Sequence, residues 1–328
     1  AVGTALGIFV GAVPGLTGTM LIALVLPLTY GADPLLSMAF LISIYVGAVS
    51  GGMITATLLR MPGTPASIIT TLDGYPMAQQ GKPGRALGLG VMASLAGGMI
   101  SWVFLVLLTS PIAKLSSKFG FFEYFSLVMM ALVLIATIGG KSLSKSLFSG
   151  FLGIFLAMPG INAATGQTRL TFGITELNDG FQLLPVLIGL FAVNQILRDI
   201  TNIEQKSKPI QLGQESVFLR TTDFIKHGVN LIRSSVIGTW IGILPGIGAN
   251  IGSVTAYSVS KSLSKTPEKY GTGHEDGVVA SEAANNATIG GALIPLIAMG
   301  LPGSVVEAVL LGALVIHGLQ PGPRLFSE

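Results

Sequence analysis

The sequence predicts an all-α polytopic membrane protein built on two inverted repeats, with broken helices and re-entrant hairpins. Composition is the first support: of 328 residues 50% are hydrophobic and only 10% charged, with a mean hydropathy of +0.74. A soluble domain carries about 25% charged residues and could not build its surface from so few. The second is the spacing of charge. Residues 1–32, 34–59, 86–113, 146–168, 234–260 and 283–306 contain no Lys, Arg, Asp or Glu. About 20 apolar residues cross a bilayer, so most of these stretches suffice for one span. The third is a doublet. Gly7-Ile8-Phe9-Val10-Gly11-Ala12-Val13-Pro14-Gly15 and Gly238-Thr239-Trp240-Ile241-Gly242-Ile243-Leu244-Pro245-Gly246 share the pattern G-x-x-x-G-x-x-P-G, 231 positions apart. Each is followed by a second break, Pro62-Gly63 and Pro302-Gly303. Backbone groups freed by a break inside hydrocarbon have no water to bond, so four matched breaks point to discontinuous helices lining a protected site.

Several function classes fall away. Cys is absent, which excludes disulfides and thiolate metal sites. There is no P-loop, no H-E-x-x-H and no aligned Ser/His/Asp set, and Gly246-x-Gly248 follows no strand, so neither an enzyme nor a dinucleotide site is indicated. His227 and His274 read as residues of polar loops, and His317 as an apolar helix end. The net charge of +3 says little, because in a membrane protein the position of charge matters more than its total; the expected surroundings are a lipid bilayer, with no nucleic acid. The chain opens inside an apolar stretch at Ala1-Val2-Gly3, as a piece of a longer protein would.

Three regions follow in order: a first repeat over 1–85, connecting helices and a polar linker over 86–233, and a second repeat over 234–328. Residues 1–30 break at Pro14-Gly15 into two pieces of about half a span each. Asp33-Pro34 is a favoured helix start, and that helix should run to about Leu59. Only 12 uncharged residues separate Arg60 from Asp73, too few to span and suited to a re-entrant arm. Conventional spans are expected near 86–109, 121–138, 145–160 and 181–197, with 161–180 a polar loop. Gly97-Gly98 and Gly139-Gly140 mark close packing or kinks. Residues 216–233 suit an amphipathic interfacial helix or a solvated loop with a docked helix. In the second half, Ser264 to Asp276 is a polar insert, and Glu282-Ala-Ala-Asn-Asn-Ala then enters uncharged sequence. An offset of 240 lays Pro62-Gly63 on Pro302-Gly303 and Ser50-Gly51 on Gly290-Gly291.

With 198–233 cytoplasmic, alternation also puts 139–145 and 82–85 inside and leaves Lys114, Lys118 and Arg169 outside, as the positive-inside rule requires. An odd number of crossings within 34–80 then gives the two halves opposite orientation.

The chemistry follows from the breaks. Half-helix N-termini present free N–H groups suited to a carboxylate, and unwound carbonyls with Ser, Thr and Asn oxygens suit a hard cation. In the first half the substrate-binding candidates are Pro14, Gly15, Thr17, Thr19, Gly63, Thr64 and Ser67. In the second they are Gly246, Asn250, Asn286, Gly303 and Ser304. Asn285, Asn286, Gly248 and Ser50 are the candidates for a coupling cation, Na+ by its chemistry. The plainer alternative is that these Ser and Thr hydroxyls bond back to their own helices and one Asn ties two helices. Glu282 is expected near the interface, Glu307 deeper, and Arg60 either faces substrate or snorkels to the headgroups.

The two G-x-x-x-G-x-x-P-G copies, Met61-Pro62-Gly63-Thr64-Pro65-Ala66-Ser67 with Asp73-Gly74-Tyr75-Pro76, the Glu282-Ala-Ala-Asn-Asn-Ala run and Gly300-Leu301-Pro302-Gly303-Ser304 together resemble the TctA family. That family is the large membrane subunit of the tripartite tricarboxylate transporters. The resemblance covers essentially the whole chain. It implies a multi-pass protein of the bacterial inner membrane that imports a di- or tricarboxylate by symport with a cation, usually Na+. It also implies two partners, a small membrane subunit and a periplasmic solute-binding protein, and no other cofactor. Transport of another small organic anion and a channel remain alternatives, and a homodimer is compatible with the sequence.

Overall fold

The computed structural model describes residues 1–13, 16–120, 142–161, 167–178, 219–244 and 248–326, with shorter pieces between 122 and 217. Pro14-Gly15, Pro245-Gly246 and Gly139-Gly140 lie outside the described residues, as do most of 121–138, much of 181–197 and the linker 198–216. What is described is almost entirely helical. The exception is an antiparallel pair of two-residue strands, β1 Gly160–Ile161 and β2 Thr168–Arg169, inside the expected polar loop.

The first half comprises α1 (Val2–Gly11), α2 (Gly18–Val25, extended by a 3-10 turn Leu26–Thr29), α3 (Pro34–Leu59) and α4 (Thr70–Gln79). Asp33 caps α3 by accepting from the Leu36 N–H at 2.9 Å, with Pro34 in the first turn where its missing donor costs nothing. Arg60 ends α3 in the left-handed conformation, φ 56°, and a 3-10 turn Pro65–Ile68 leads into α4. The expected arm stops at Asp73, but the helix carries on through Pro76 to Gln79.

The connecting region holds α5 (Pro83–Ser116) and α6 (Leu143–Leu156). α3 and α5 are the two described helices long and apolar enough to cross a membrane. α5 is the reverse of a soluble helix. Val91, Leu95, Met99, Trp102 and Val106 form an exposed apolar stripe, while Gly90, Met92, Gly97 and Ser101 face the protein.

The second half comprises α7 (Thr221–Ile243), α8 (Gly248–Ser262), α9 (Glu275–Met299) and α10 (Val305–Ile316). α7 is one continuous helix across the sequence-drawn boundary at 233/234. It also carries His227, which the sequence put in a loop and the structure buries. The error has a clear cause, since the charges near its start mask the buried strip of His227, Asn230, Leu231 and Ser234.

α9 is enclosed along its length, every residue from Gly277 to Leu296 being buried. It packs against α3, α4, α5, α7, α8 and α10. Such packing needs small residues at each crossing. A Cβ on Gly97 of α5 would overlap the Ala283 carbonyl, and one on Gly290 the Ser101 side chain.

The same close approaches occur in both halves. In the first, Gly7, Gly11 and Gly51 abut the carbonyls of Ile44, Ala48 and Ile8. In the second, Gly238, Gly242 and Gly291 abut those of Ala284, Thr288 and Thr239, the positions related by the offsets of 231 and 240. Gly300, which matches Arg60, ends α9 in the same left-handed conformation at φ 71°. α3 and α9 run in opposite directions: Ser50 meets Asn286 and, further back along α3, Tyr45 meets Glu307 of α10.

Gly97→Ala should destabilise the protein by about 1–3 kcal/mol through overpacking, read as a fall in the thermal midpoint in detergent. Its neighbour Gly98 has nothing within 4 Å of a Cβ. Gly98→Ala should therefore be neutral or stabilise by about 0.5–1 kcal/mol through helix propensity.

Candidate functional site

A buried polar seam lies where α3, α4, α5, α8 and α9 meet. Asn286 is its hub. Its amide nitrogen donates to Ser94 of α5 at 2.8 Å and to the Glu282 carbonyl at 3.2 Å, and its oxygen accepts from Ser50 of α3 at 2.8 Å. Glu282, one turn earlier, is 0% exposed. Its carboxylate accepts a short hydrogen bond from the Thr70 hydroxyl of α4 and a longer one, 3.5 Å, from Ser94. The Thr70 hydroxyl also lies 3.2 Å from that of Ser281, whose carbonyl accepts from Ser253 of α8 at 3.2 Å. Asn285 is equally buried, yet neither atom of its amide has a partner. Each such group costs about 1–3 kcal/mol, which sets Asn285 apart from the saturated Asn286 beside it.

Among the described residues no three His, Cys, Asp or Glu side chains gather as for a transition metal. The donors here are hydroxyl, amide and carboxylate oxygens, the set preferred by hard cations.

The sequence-predicted residues divide. Ser50 and Asn286 are brought together, while Asn285 lies on the strip of α9 shared with Ser281 and Thr288. Gly248 opens α8, and Thr19 sits half-buried in the first turn of α2. Thr17 caps α2 by accepting from the Met20 N–H at 3.1 Å, and Ser304 caps α10 by accepting from Val306 at 3.3 Å. Ser67 bonds back to Thr64, accepting from its N–H at 3.2 Å and donating to its carbonyl at 2.8 Å. The Thr64 hydroxyl is buried with no partner. Gly63 rests against the Gly11 carbonyl and Gly52, and Gly303 faces the matching Gly242 carbonyl and Ala292. Pro14, Gly15 and Gly246 lie outside the described residues, and nothing is described of the Asn250 side chain.

Three features escape the sequence. Glu282 is at the centre of the seam and not near the interface, because the charged start of α9 lies two turns before it. Thr70 and Ser94 are ordinary polar residues whose role exists only once α4 and α5 reach α9. Asp73 is fully buried, with its Oδ1 accepting from the N–H groups of Gly271, Gly273 and His274 at 2.9, 2.8 and 2.7 Å. Its Oδ2 accepts from the Tyr257 hydroxyl at 2.8 Å, so Asp73 pins the polar insert over α4 and α8. A groove of about 540 Å³ beside it, lined by Ile69, Leu72, Val254, Tyr257 and Lys261, holds none of the predicted site residues. Arg60 is exposed with its guanidinium over the Tyr75 ring, 5.7 Å from the centroid, away from the seam.

The starts of α5, α7 and α9 are tied at one polar end. Arg85 pairs with Asp223 at 2.7 Å and with Glu275 at 2.9 Å, and Lys226 with Glu275 at 2.6 Å. His227 lies 2.7 Å from Asp276 and 3.2 Å from Glu275. The cluster lies outside the charge-free stretches. The hydrogen bond from His227, then those from Arg85 and Lys226, hold Glu275 well below the usual carboxylate range. Burial works against the charged form of His227, but its bonds to Asp276 and Glu275 outweigh this and raise its pKa.

The family can now be assigned. All of residues 1–328 match the tripartite tricarboxylate transporter TctA family. The chain belongs to the TctA family. It is similar to a 52.8 kDa Agrobacterium vitis protein of the TAR-I ttuC' 3' region, 36% identical over 327 residues. It is also similar to a protein of the TAR-II ttuC' 3' region of Agrobacterium vitis, 43% identical over 91 residues, or 28% of this chain and 38% of that one. This TctA-family chain aligns in full with the first relative and spans 65% of its length. No solved structure matches.

Two outcomes follow for this TctA-family chain. Asn286→Ala breaks bonds to two other helices and should lower the thermal midpoint, as a loss of about 2–4 kcal/mol would. Asn285→Ala removes no bond to another helix and, measured in choline chloride, should leave the midpoint unchanged or raised. For pH, a raised His pKa adds stability that is complete below its unfolded value near 6.5 and is lost as pH rises through the folded value. The lowered Glu275 adds stability present above its unfolded value near 4.3 and lost in acid. The thermal midpoint should therefore fall as pH rises above about 6.5, and His227→Gln should flatten that fall and also weaken the acid-side loss, since His227 is the first partner holding Glu275 down.

Proposed function

We propose that this chain is the membrane-embedded translocating part of a secondary active transporter in the bacterial inner membrane. It takes a di- or tricarboxylate from a periplasmic binding protein, with a small membrane subunit as partner, and moves it by symport with Na+. The two halves are inverted repeats whose movement against each other gives alternating access.

The observation that carries this reading is the enclosed polar seam between α3 and α9, equivalent helices that run oppositely and meet at Ser50 and Asn286. Sites in inverted-repeat transporters lie at such crossings near the midplane. Further support comes from the exchange of neighbours. The 3-10 turn and α4 of the first half pack on α8 and α9, and α10 of the second half packs on α2 and α3. The repeated glycine contacts and the twin left-handed ends at Arg60 and Gly300 agree with it. Membership of the TctA family, a tricarboxylate transporter family, supports the proposed substrate class and partners.

Uptake by the full-length protein with both partners, reconstituted in vesicles, should accumulate at least one di- or tricarboxylate when a Na+ gradient is imposed. Uptake that only equilibrates the carboxylate and ignores every ion gradient would overturn the reading in favour of a channel. Gly303 offers a local test, since a Cβ there would be 3.7 Å from Ala292, an ordinary contact. Gly303→Ala should fold normally and reduce uptake by about tenfold, a loss of about 1.4 kcal/mol of binding or transition-state energy.

A further inference from the structure

We propose that Glu282, with Thr70, Ser281 and Asn285, is the site of the coupling cation, a monovalent ion of the Na+ type. The proposal rests on the transporter reading above and adds the residue that carries the charge.

Glu282 has no ion-pair partner among the described residues, where every salt bridge lies in the Arg85–Glu275 cluster. The groups that face it are neutral, the hydroxyls of Thr70 and Ser94 with the Asn285 amide beside them. An ionised carboxylate enclosed with neutral donors alone costs several kcal/mol, and a bound cation removes that cost. Three further oxygens stand at this point of the seam. The hydroxyls of Thr70 and Ser281 lie 3.2 Å apart, and Asn285, one helical turn beyond Glu282, has an acceptor oxygen with no donor. A proton on Glu282 would neutralise the charge, but it brings no use for this set of oxygens. A small hard cation needs such a set.

The placement also explains coupling. Thr70 belongs to the first half, while Ser281, Glu282 and Asn285 belong to the second, so a cation held by all four stabilises one arrangement of the halves over another.

The test uses the full-length protein with its membrane partner. Thermal midpoints are measured in NaCl against KCl and choline chloride at constant ionic strength, and carboxylate accumulation is measured in vesicles. Wild type should show a saturable midpoint rise specific to NaCl. Glu282→Gln should abolish that rise and cut Na+-driven accumulation by about tenfold or more. Should Glu282→Gln fail to fold, Thr70→Val and Asn285→Ala keep the carboxylate and should raise the half-saturating NaCl by about threefold or more. Glu282→Gln with wild-type NaCl response and accumulation would overturn the site. So would Thr70→Val and Asn285→Ala with wild-type NaCl requirement. Accumulation driven by a pH gradient and indifferent to NaCl would replace the cation by a proton and leave the transporter reading standing. Absence of any carboxylate accumulation in wild type would overturn that reading and this site with it.

Discussion

A helix enclosed on every side has no solvent to answer its polar groups, and α9 lives under that constraint from Gly277 to Leu296. Two consequences follow. Its neighbours can approach only where one partner lacks a side chain, so Gly97, Gly238, Gly242 and Gly290 mark its crossings with α5 and α7. Its polar side chains must be met by other helices, which draws Ser50, Thr70 and Ser94 to one level of the fold. Packing and chemistry are therefore set by the same helix. The exception is Asn285, whose amide is enclosed without a hydrogen-bond partner.

The two halves solve one packing problem with the same glycines and with different polar residues. Gly11 and Gly242 lie against Ala48 and Thr288, matched positions, and Gly63 and Gly303 follow them. Yet Glu282 corresponds to Ile42, and the left-handed Arg60 to Gly300. The backbone frame is shared because close approach admits few alternatives. The polar groups differ because each is set by the partners that its own half brings to it, not by the backbone frame.

Some of this was legible in the residues alone. The charge gaps at 34–59 and 86–113 located α3 and α5, Asp33-Pro34 located the start of α3, and the doublet contained the glycines that make the repeated contacts. Asn285 and Asn286 were legible as a pair but not as individuals. Two adjacent amides look alike in a sequence, and only the side chains that other helices bring to each of them separate the saturated one from the free one. Glu282 was misplaced because a charge near the edge of an apolar run resembles an interfacial residue. It lies two turns past the charged start at Glu275, inside the enclosed part of α9. His227 was misplaced for the opposite reason, since the charges around it hid a buried helical strip.

Local chemistry and period decided which segments are helices, where they start and break, and which glycines recur, because these depend on residues within a few turns of one another. The TctA-family resemblance rested on the same local motifs. The tertiary structure alone decided that Thr70, Ser94 and Glu282 share a site, that Asp73 holds the polar insert, and that α3 and α9 oppose each other. Each of these joins residues roughly 185–240 positions apart, and a hydroxyl or carboxylate acquires its meaning from the partner that burial forces on it.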